Sequence, residues 1–277
     1  MKSAILTFVG AGKKSLTILL RYPTWIISFL IWPIIMPLVY ILGAMAFSMG
    51  SPDALSHFES YAGTSDYVGF IAVGSLVWML ANNYLWNFGS VLRNEQLRGT
   101  LESNWITPSN KFVWLIGEGS SSLFIAFVTF IISIVEYSLI LRVDFTANIF
   151  EMVVCFLILL PGFYGFGLIV AGLVLIAKEA GAAIQILRGI LTIFCAVSFP
   201  LAVIPSNLRI ISDSIPITYG LQAVREVMLK DLSIFSDEFA HLAFMAVILG
   251  GVFLLVGRIL FAYIQNQVKK NGSFDKF

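Results

Sequence analysis

The sequence is poor in charged residues and in the residue types that carry enzyme chemistry. Only 12% of its 277 residues are Asp, Glu, Lys or Arg, and it has two cysteines and two histidines. Cys155 and Cys195 lie inside apolar stretches, where neither a disulfide nor metal ligation is indicated. His57 and His241 have no nearby partner ligand in the sequence, and there is no Ser-His-acid set or pair of carboxylates. We therefore expect a protein that is not an enzyme and binds no cofactor or metal itself.

Hydrophobic residues dominate the composition instead. They make up 58% of the chain, and the mean hydropathy is +0.91, far above the balance of a soluble domain. The net charge of +1 argues against a nucleic-acid partner. A helix needs about 20 apolar residues to cross a membrane, and five or six such stretches can be marked out. The sequence thus predicts an all-α polytopic membrane protein that is inserted without a removable signal peptide.

The predicted segments form a single transmembrane domain over residues 1–277. Residues 1–22 have apolar side chains at three- and four-residue steps, typical of a helix in the membrane interface. The six predicted spans are residues 24–49, 67–89, 113–141, 152–177, 189–205 and 239–264. Residues 91–112 form a polar element between two spans. Residues 206–238 have an apolar run that is too short to cross, which favours a half-buried helix or a re-entrant pair at the outer side. Within this segment, Ile217, Leu221, Val224 and Met228 recur at helical spacing, with Gln222, Arg225 and Glu226 on the opposite face.

Two spans contain residues that should shape helix packing. Pro33 and Pro37 in the first span should free backbone carbonyls, which neighbouring helices must then accommodate. The fourth span contains Pro161 and a cluster of glycines that should let helix backbones approach closely in lipid. These glycines are Gly162, Gly165, Gly167 and Gly172.

The distribution of Lys and Arg predicts the orientation, because cytoplasmic loops carry an excess of both. With the N-terminus inside, twelve of the 17 cationic residues lie in cytoplasmic segments and four in outer ones. We therefore expect a multi-pass protein of the cell membrane with both termini in the cytoplasm. The inner set is Lys2, Lys13, Lys14, Arg21, Arg93, Arg98, Lys111, Lys178, Arg188, Lys269, Lys270 and Lys276, the outer set is Arg142, Arg209, Arg225 and Lys230, and Arg258 lies within the last span.

Few polar groups fall inside the spans. Asn82 and Asn83, beside Trp86, line a polar path or form hydrogen bonds between helices, and the pattern does not separate these two interpretations. Glu118, Glu136 and Arg258 lie within about two turns of a span end, which favours snorkelling to the headgroups or local pairing over a proton relay. The largely apolar spans suit a lipid-like or amphiphilic cargo better than an ion.

The polar element 91–112 is the longest polar run on the predicted cytoplasmic side. Glu95 and Arg98 are three residues apart, and Arg98 and Glu102 four apart, so they should form exposed ion pairs on one helical face. Leu97 and Leu101 mark the apolar face. Gly99 permits a break with Thr100 as a helix cap, and Ser109 or Asn110 should cap the next span. A solvated connector and a contact for a partner protein are both consistent with this pattern.

Residues 94–108, NEQLRGTLESNWITP, resemble the element between the second and third spans of ABC-2-type transporter permeases. In that family a charged lead-in precedes a Gly-Thr-Leu-Glu core and a closing Thr-Pro. Residues 199–228, FPLAVIPSNLRIISDSIPITYGLQAVREVM, are similar to the region after the family's fifth span, with two helix-breaking prolines, a Thr-Tyr and then an arginine. The likeness covers essentially the whole chain. Asn104-Trp105 departs from it, since an aliphatic residue is more usual there.

The resemblance implies the permease subunit of an ATP-driven exporter with a type V fold. Two ATPase subunits would carry ATP and Mg²⁺, and a second permease copy or a related permease would complete the complex. Spans 2 and 5 of both copies would enclose a drug, lipid or lipid-linked glycan. An energy-independent channel or an assembly scaffold is the alternative.

The resemblance also implies which residues act. The coupling helix that contacts the ATPase would comprise Glu95, Arg98, Gly99, Thr100, Leu101, Glu102, Trp105 and Ile106. A second cytoplasmic contact would comprise Lys178, Glu179 and Gly181, and the outer gate Pro200, Pro205, Pro216 and Tyr219. The pathway lining would include Asn82, Asn83, Trp86, Phe194 and Phe199.

Overall fold

A computed structural model describes residues 2–21, 24–48, 52–107, 110–176 and 180–271. In these ranges all regular structure is helical, which confirms the predicted all-α class. The helices are α1 (Lys2–Arg21), α2 (Thr24–Ser48), α3 (Pro52–Ala62), α4 (Tyr67–Leu97), α5 (Leu101–Ile106), α6 (Lys111–Ile140), α7 (Ile149–Ile176), α8 (Ala180–Phe194), α9 (Ser206–Asp213), α10 (Pro216–Leu229) and α11 (Asp237–Asn271), with a 3-10 turn at Leu201–Val203.

Four helices among the described residues are long and apolar enough to cross a membrane. They are Tyr67–Leu97, Lys111–Ile140, Ile149–Val174 and Asp237–Gln267, which correspond to α4, α6, α7 and α11. Two shorter apolar stretches, Leu30–Ala46 in α2 and Ile184–Phe194 in α8, lie beside them. These long apolar helices fit a membrane protein.

Glycine contacts bring α7 and α11 together along much of their length. A Cβ atom on Gly250 would lie 2.7 Å from the backbone nitrogen of Gly162, and one on Gly257 would lie 2.8 Å from the carbonyl oxygen of Gly165. Further along, Gly172 lies against Phe261. The residue numbers of the contacting pairs increase together in both helices, so α7 and α11 run parallel. The close approach expected from the glycines of the fourth span is thus present.

Aromatic packing joins α4 to α7 at the centre of the bundle. The rings of Tyr84 and Phe88 are 5.2 Å apart, and that of Tyr84 is 6.0 Å from Phe163. Both Tyr84 and Phe88 are fully buried. Gly119 of α6 and Gly167 of α7 leave room for these two rings, since a Cβ atom at either glycine would collide with them. The core of the fold therefore lies between α4, α6 and α7.

The region of the predicted fifth span differs from expectation. Residues 189–205 do not form one helix, because α8 begins at Ala180 and ends at Phe194, and Ala196 then adopts a left-handed conformation with φ of 53°. Pro200 and Pro205 lack the backbone N–H that a continuing helix needs. Each instead lies at the N-cap of the next short helix, the 3-10 turn or α9.

The segment 206–238, which was predicted to lie at the outer side, contains the helix pair α9 and α10. The apolar residues of α10 that were predicted to face the protein, Ile217, Leu221, Val224 and Met228, are all buried. The segment between the first two predicted spans contains the helix α3.

Candidate functional site

Glu95 is the centre of a polar cluster that joins α1, α4, α5 and α6. Its side chain is 4% exposed. One carboxylate oxygen accepts a 2.6 Å hydrogen bond from Lys14 Nζ. The other accepts bonds from Thr100 Oγ1 at 2.7 Å and Asn104 Nδ2 at 2.5 Å. Because a buried carboxylate is costly unless it is paired and hydrogen-bonded, these contacts fix the position of α5 relative to α4.

Lys14 connects α1 to two carboxylates at once. Its Nζ lies 3.3 Å from Glu118 Oε1 in α6, in addition to its bond to Glu95. Burial lowers the pKa of Lys14, but the hydrogen bond to Glu95 and the charges of Glu118 and Glu95 outweigh burial, so the pKa is raised above its ordinary value. Lys14 is therefore charged at neutral pH. Glu118 has the local partner that its position near a span end indicated.

The apolar side of α1 faces away from this cluster. Ile5, Val9 and Leu20 are exposed, whereas Gly12 packs on α6, with its carbonyl accepting a 2.8 Å hydrogen bond from Ser121 Oγ. Ala11 and Gly12 thus lie in the contact of α1 with α6, and Lys14 joins α1 to the cluster.

The two ends of α5 are held by different helices. At its start, α4 ends in a Schellman motif, in which Gly99 has φ of 66° and the N–H of Thr100 donates to Glu95 O at 3.0 Å. At its end, Lys111 Nζ of α6 donates to the carbonyl oxygens of Asn104 at 2.6 Å and Thr107 at 2.8 Å. A cation at the carbonyl end of a helix is favourable. As a result, α5 is attached to both α4 and α6.

The predicted exposed ion pairs in this element are only partly present, since Glu95 and Arg98 do pair but the glutamate is buried. Glu95 is buried and Lys14 is its main partner, while Arg98 Nη1 lies 3.8 Å away. Arg98 is the C-cap of α4, so it does not share a helix with Glu102. The helix break also separates Leu97, which is 73% exposed, from Leu101, which is buried.

Other predicted features of this element have mixed outcomes. Thr100 occupies the N-cap of α5, but its hydroxyl bonds to Glu95 rather than capping the helix. Asn110 caps α6 as predicted, accepting hydrogen bonds from the N–H groups of Phe112 and Val113. Ile106 is 84% exposed at the end of α5. The side chains of Glu102 and Trp105 lie outside the described residues.

The second predicted cytoplasmic contact is mostly outside the described residues. Lys178 and Glu179 both belong to that undescribed part. Gly181 lies in the first turn of α8, with open space around it.

Four of the predicted pathway residues lie on α4 and α8, which pack side by side, and Phe199 lies beyond the end of α8. Gly89 of α4 lies against Ile184 of α8, and Gly74 lies against Val197 just beyond α8. The later residue of α4 contacts the earlier residue of the α8 region, so α4 and α8 are antiparallel neighbours.

One side of α4 remains partly open to the surroundings of this single chain. Trp86 is 41% exposed, and Asn82 and Asn83 are half-buried, whereas residues 69–81 are all buried. Asn82 Oδ1 accepts no hydrogen bond from the described residues. Phe194, the last residue of α8, and Phe199, in the segment that follows it, are likewise half-buried. The described part of the chain therefore supplies no interhelical bond to that oxygen of Asn82.

The predicted outer-gate residues occupy helix starts. Pro216 is buried at the first position of α10, and Pro205 is exposed at the N-cap of α9. Tyr219 is half-buried on α10, where burial and the Asp213 carboxylate raise the pKa of its phenol. Pro200 is buried before the 3-10 turn. The three prolines thus lie where each of the short helices after α8 begins.

Arg225 is a residue of this region that sequence reasoning missed. It was assigned to the polar side of α10, yet it is only 5% exposed. Its Nη1 donates to Ala196 O at 3.0 Å and its Nη2 to Val197 O at 2.6 Å. The guanidinium also lies 3.6 Å from the centre of the Phe70 ring in α4. Because Arg225 lies three residues from Gln222 and beside Glu226, it was grouped with the polar face of the helix, and its contacts with distant residues were not expected.

No protein-family model matches the chain, and no curated protein shows a significant sequence match to it.

Proposed function

We propose that the chain is the membrane-spanning permease subunit of an ATP-binding cassette exporter, with ATP hydrolysed on separate subunits. The observation that carries this proposal is the attachment of α5. This six-residue helix is fixed to α4 through Glu95 and to α6 through Lys111, and it presents the exposed Ile106. A short helix held in this way can transmit a movement of a bound partner to two membrane helices. A solvated connector has no need of a buried, fully paired carboxylate.

The arrangement of the long helices is compatible with six crossings. In addition to the four candidate spans, α2 has 25 residues, or about 37 Å at the usual rise per residue. The 15 residues of α8 extend only about 22 Å, so the fifth crossing would include the turn and 3-10 segment that follow. Both termini would then lie in the cytoplasm, as the Lys and Arg distribution indicates, and α1 would lie in the membrane interface.

The open side of α4 supports an amphipathic cargo. Trp86 and the two asparagines offer an aromatic surface beside amide groups, and the neighbouring helix α8 exposes Ile186, Ile190 and Ile193. A second copy of the chain or a related permease would face this side and complete the pathway. The cargo would be a drug, a lipid or a lipid-linked glycan that moves outward.

The decisive experiment is purification of the tagged chain from its native membranes in a mild detergent. We expect a second chain in stoichiometric amount that hydrolyses ATP with Mg²⁺. With Ile106→Asp, the ATPase should no longer co-purify, because a charge would replace the apolar contact. The matched control is Phe235→Asp, an equally exposed apolar position between α10 and α11, which should keep the ATPase. Recovery of a lone oligomer without ATPase would refute the proposal and favour an energy-independent channel or scaffold.

A further inference from the structure

We propose that Arg225 is a positioning residue that holds the outer gate closed by fastening α10 to the end of α8 and to α4. Its role in a gate rests on the proposed function, but the contacts by which it fastens α10 to its neighbours do not. Arg225 is buried, and its two terminal nitrogens donate to consecutive carbonyl oxygens, those of Ala196 and Val197. It is therefore bound to the turn that directly follows α8, close to the carbonyl end of that helix, where a cation is favoured.

The turn that Arg225 holds has an unfavourable backbone. The N–H of Ala196 donates to Ile193 O and that of Val197 to Thr192 O, which is the Schellman pattern. The left-handed position of this motif is usually glycine, as it is at Gly99 after α4, because a Cβ atom crowds the following carbonyl. Here it is Ala196. The carbonyl of that same residue is one of the two that Arg225 binds, so the arginine stabilises a turn that is strained by itself.

The fastening extends to α4 through Phe70 and Gly74. The guanidinium stacks over the Phe70 ring at 3.6 Å, a favourable contact for an arginine removed from water. A Cβ atom on Gly74 would overlap both Val197 O and Arg225 Nη2. The close fit at Gly74 thus places three elements around one guanidinium. Since α4 and α8 are the helices proposed to line the pathway, releasing Arg225 would free their outer ends from α10.

The two native cysteines provide a test that needs no partner subunit. Cys195 is 2% exposed and directly precedes Ala196, whereas Cys155 is fully buried in α7. With Cys155→Ala, Cys195 is the only thiol in the chain. In the purified full chain, we expect Arg225→Gln to speed the reaction of Cys195 with a maleimide by about tenfold or more, the effect of losing hydrogen bonds from a charged donor. Arg225→Lys should give an intermediate rate, because an ammonium cannot bridge both carbonyls as a planar guanidinium does.

Three further variants distinguish local release of the turn after α8 from unfolding of the whole protein. Arg209→Gln, which alters an exposed arginine of α9, should leave the Cys195 rate at the wild-type level. With Cys195→Ala as the background, Arg225→Gln should leave Cys155 unreactive, since the core stays folded. Ala196→Gly combined with Arg225→Gln should slow the labelling of Cys195 again, because glycine removes the strain in the turn.

The proposal is overturned if Arg225→Gln leaves Cys195 protected, if Arg209→Gln exposes it equally, or if Cys155 becomes reactive to the same degree. Labelling is measured without ATP, so failure to find an ATPase would not alter these outcomes. If the ATPase complex is recovered, a non-hydrolysable ATP analogue should raise the labelling of Cys195 in the wild-type chain. Protection unchanged by the analogue, with the variants behaving as expected, would keep the fastening and refute its role as a gate.

Discussion

Tyr137 Oη donates a 2.8 Å hydrogen bond to the carbonyl oxygen of Pro33, from α6 to α2. In a regular helix the N–H of residue 37 would bind that carbonyl, but residue 37 is proline and has no N–H. The phenol of α6 therefore replaces a bond that the helix cannot make. This is the accommodation of a freed carbonyl that the two prolines predicted.

Tyr137→Phe should destabilise the protein by about 1–3 kcal/mol, the usual cost of leaving a buried polar group without its partner. The packing of the ring would be unchanged. Thermal unfolding in detergent, followed by loss of the monodisperse peak, measures the effect. Tyr61→Phe, at a position 56% exposed, is the control and should be neutral. Equal stability of both variants would show that the bond to Pro33 contributes nothing.

Replacing either of two adjacent glycines of α11 by alanine should change the stability of the protein in opposite directions. Gly250→Ala would press a methyl group against Gly162 and Pro161, and overpacking of this kind costs about 1–3 kcal/mol. Gly251 has open space around it, so Gly251→Ala should be neutral or stabilise the helix by up to about 1 kcal/mol. Unfolding temperatures of the two variants, measured side by side, give the comparison. Similar shifts would contradict the close packing of α7 and α11.

Lys14→Met should destabilise the protein, because Glu95 and Glu118 would lose their shared cation. The lysine side chain is 40% exposed, and solvent screening limits the expected cost to about 1 kcal/mol. The neighbouring exposed Lys13→Met removes the same charge without touching either carboxylate. If the Lys13 variant has an equal effect on the unfolding temperature, net charge and not the cluster is responsible.

Asn104→Leu should weaken the link between α5 and α4 while leaving the exposed Ile106 in place. We expect the ATPase subunit to remain bound, but stimulation of its activity by transported compounds to fall by about tenfold, since a hydrogen bond to a charged group is lost. Ser103→Ala, which changes an exposed neighbour on α5, is the control. ATP hydrolysis by the reconstituted complex, with and without such compounds, separates these outcomes. Unchanged stimulation in the Asn104 variant would refute the role of the Glu95 cluster in coupling.

The helices were predictable to the extent that local patterns determine them. Long apolar runs indicated the membrane helices, and the asparagine before α6 capped it as expected. Boundaries were less predictable where proline and a left-handed residue end a helix early. For α8, apolar character continues beyond Phe194, and only the backbone at Ala196 shows that the helix has stopped.

The site contacts were not predictable, because they join residues far apart in sequence. Glu95 and Lys14 are 81 residues apart, and helical spacing alone assigned the glutamate to its neighbour Arg98. Arg225 lies opposite the apolar stripe of α10, a position that usually faces solvent. Here α4 and the end of α8 cover that side as well, so the pattern of one helix could not indicate the burial of the arginine.

The parallel pair α7 and α11 also provides a fixed reference against which movements of the other helices can be measured. Backbones in contact through glycines cannot move relative to each other without opening voids, and tightly packed interfaces resist such change. Spin labels at the exposed Leu157 and Val252 would therefore keep a constant separation in every state of the protein. Distances from either label to α4 or α8 could then be interpreted as displacements of those two helices.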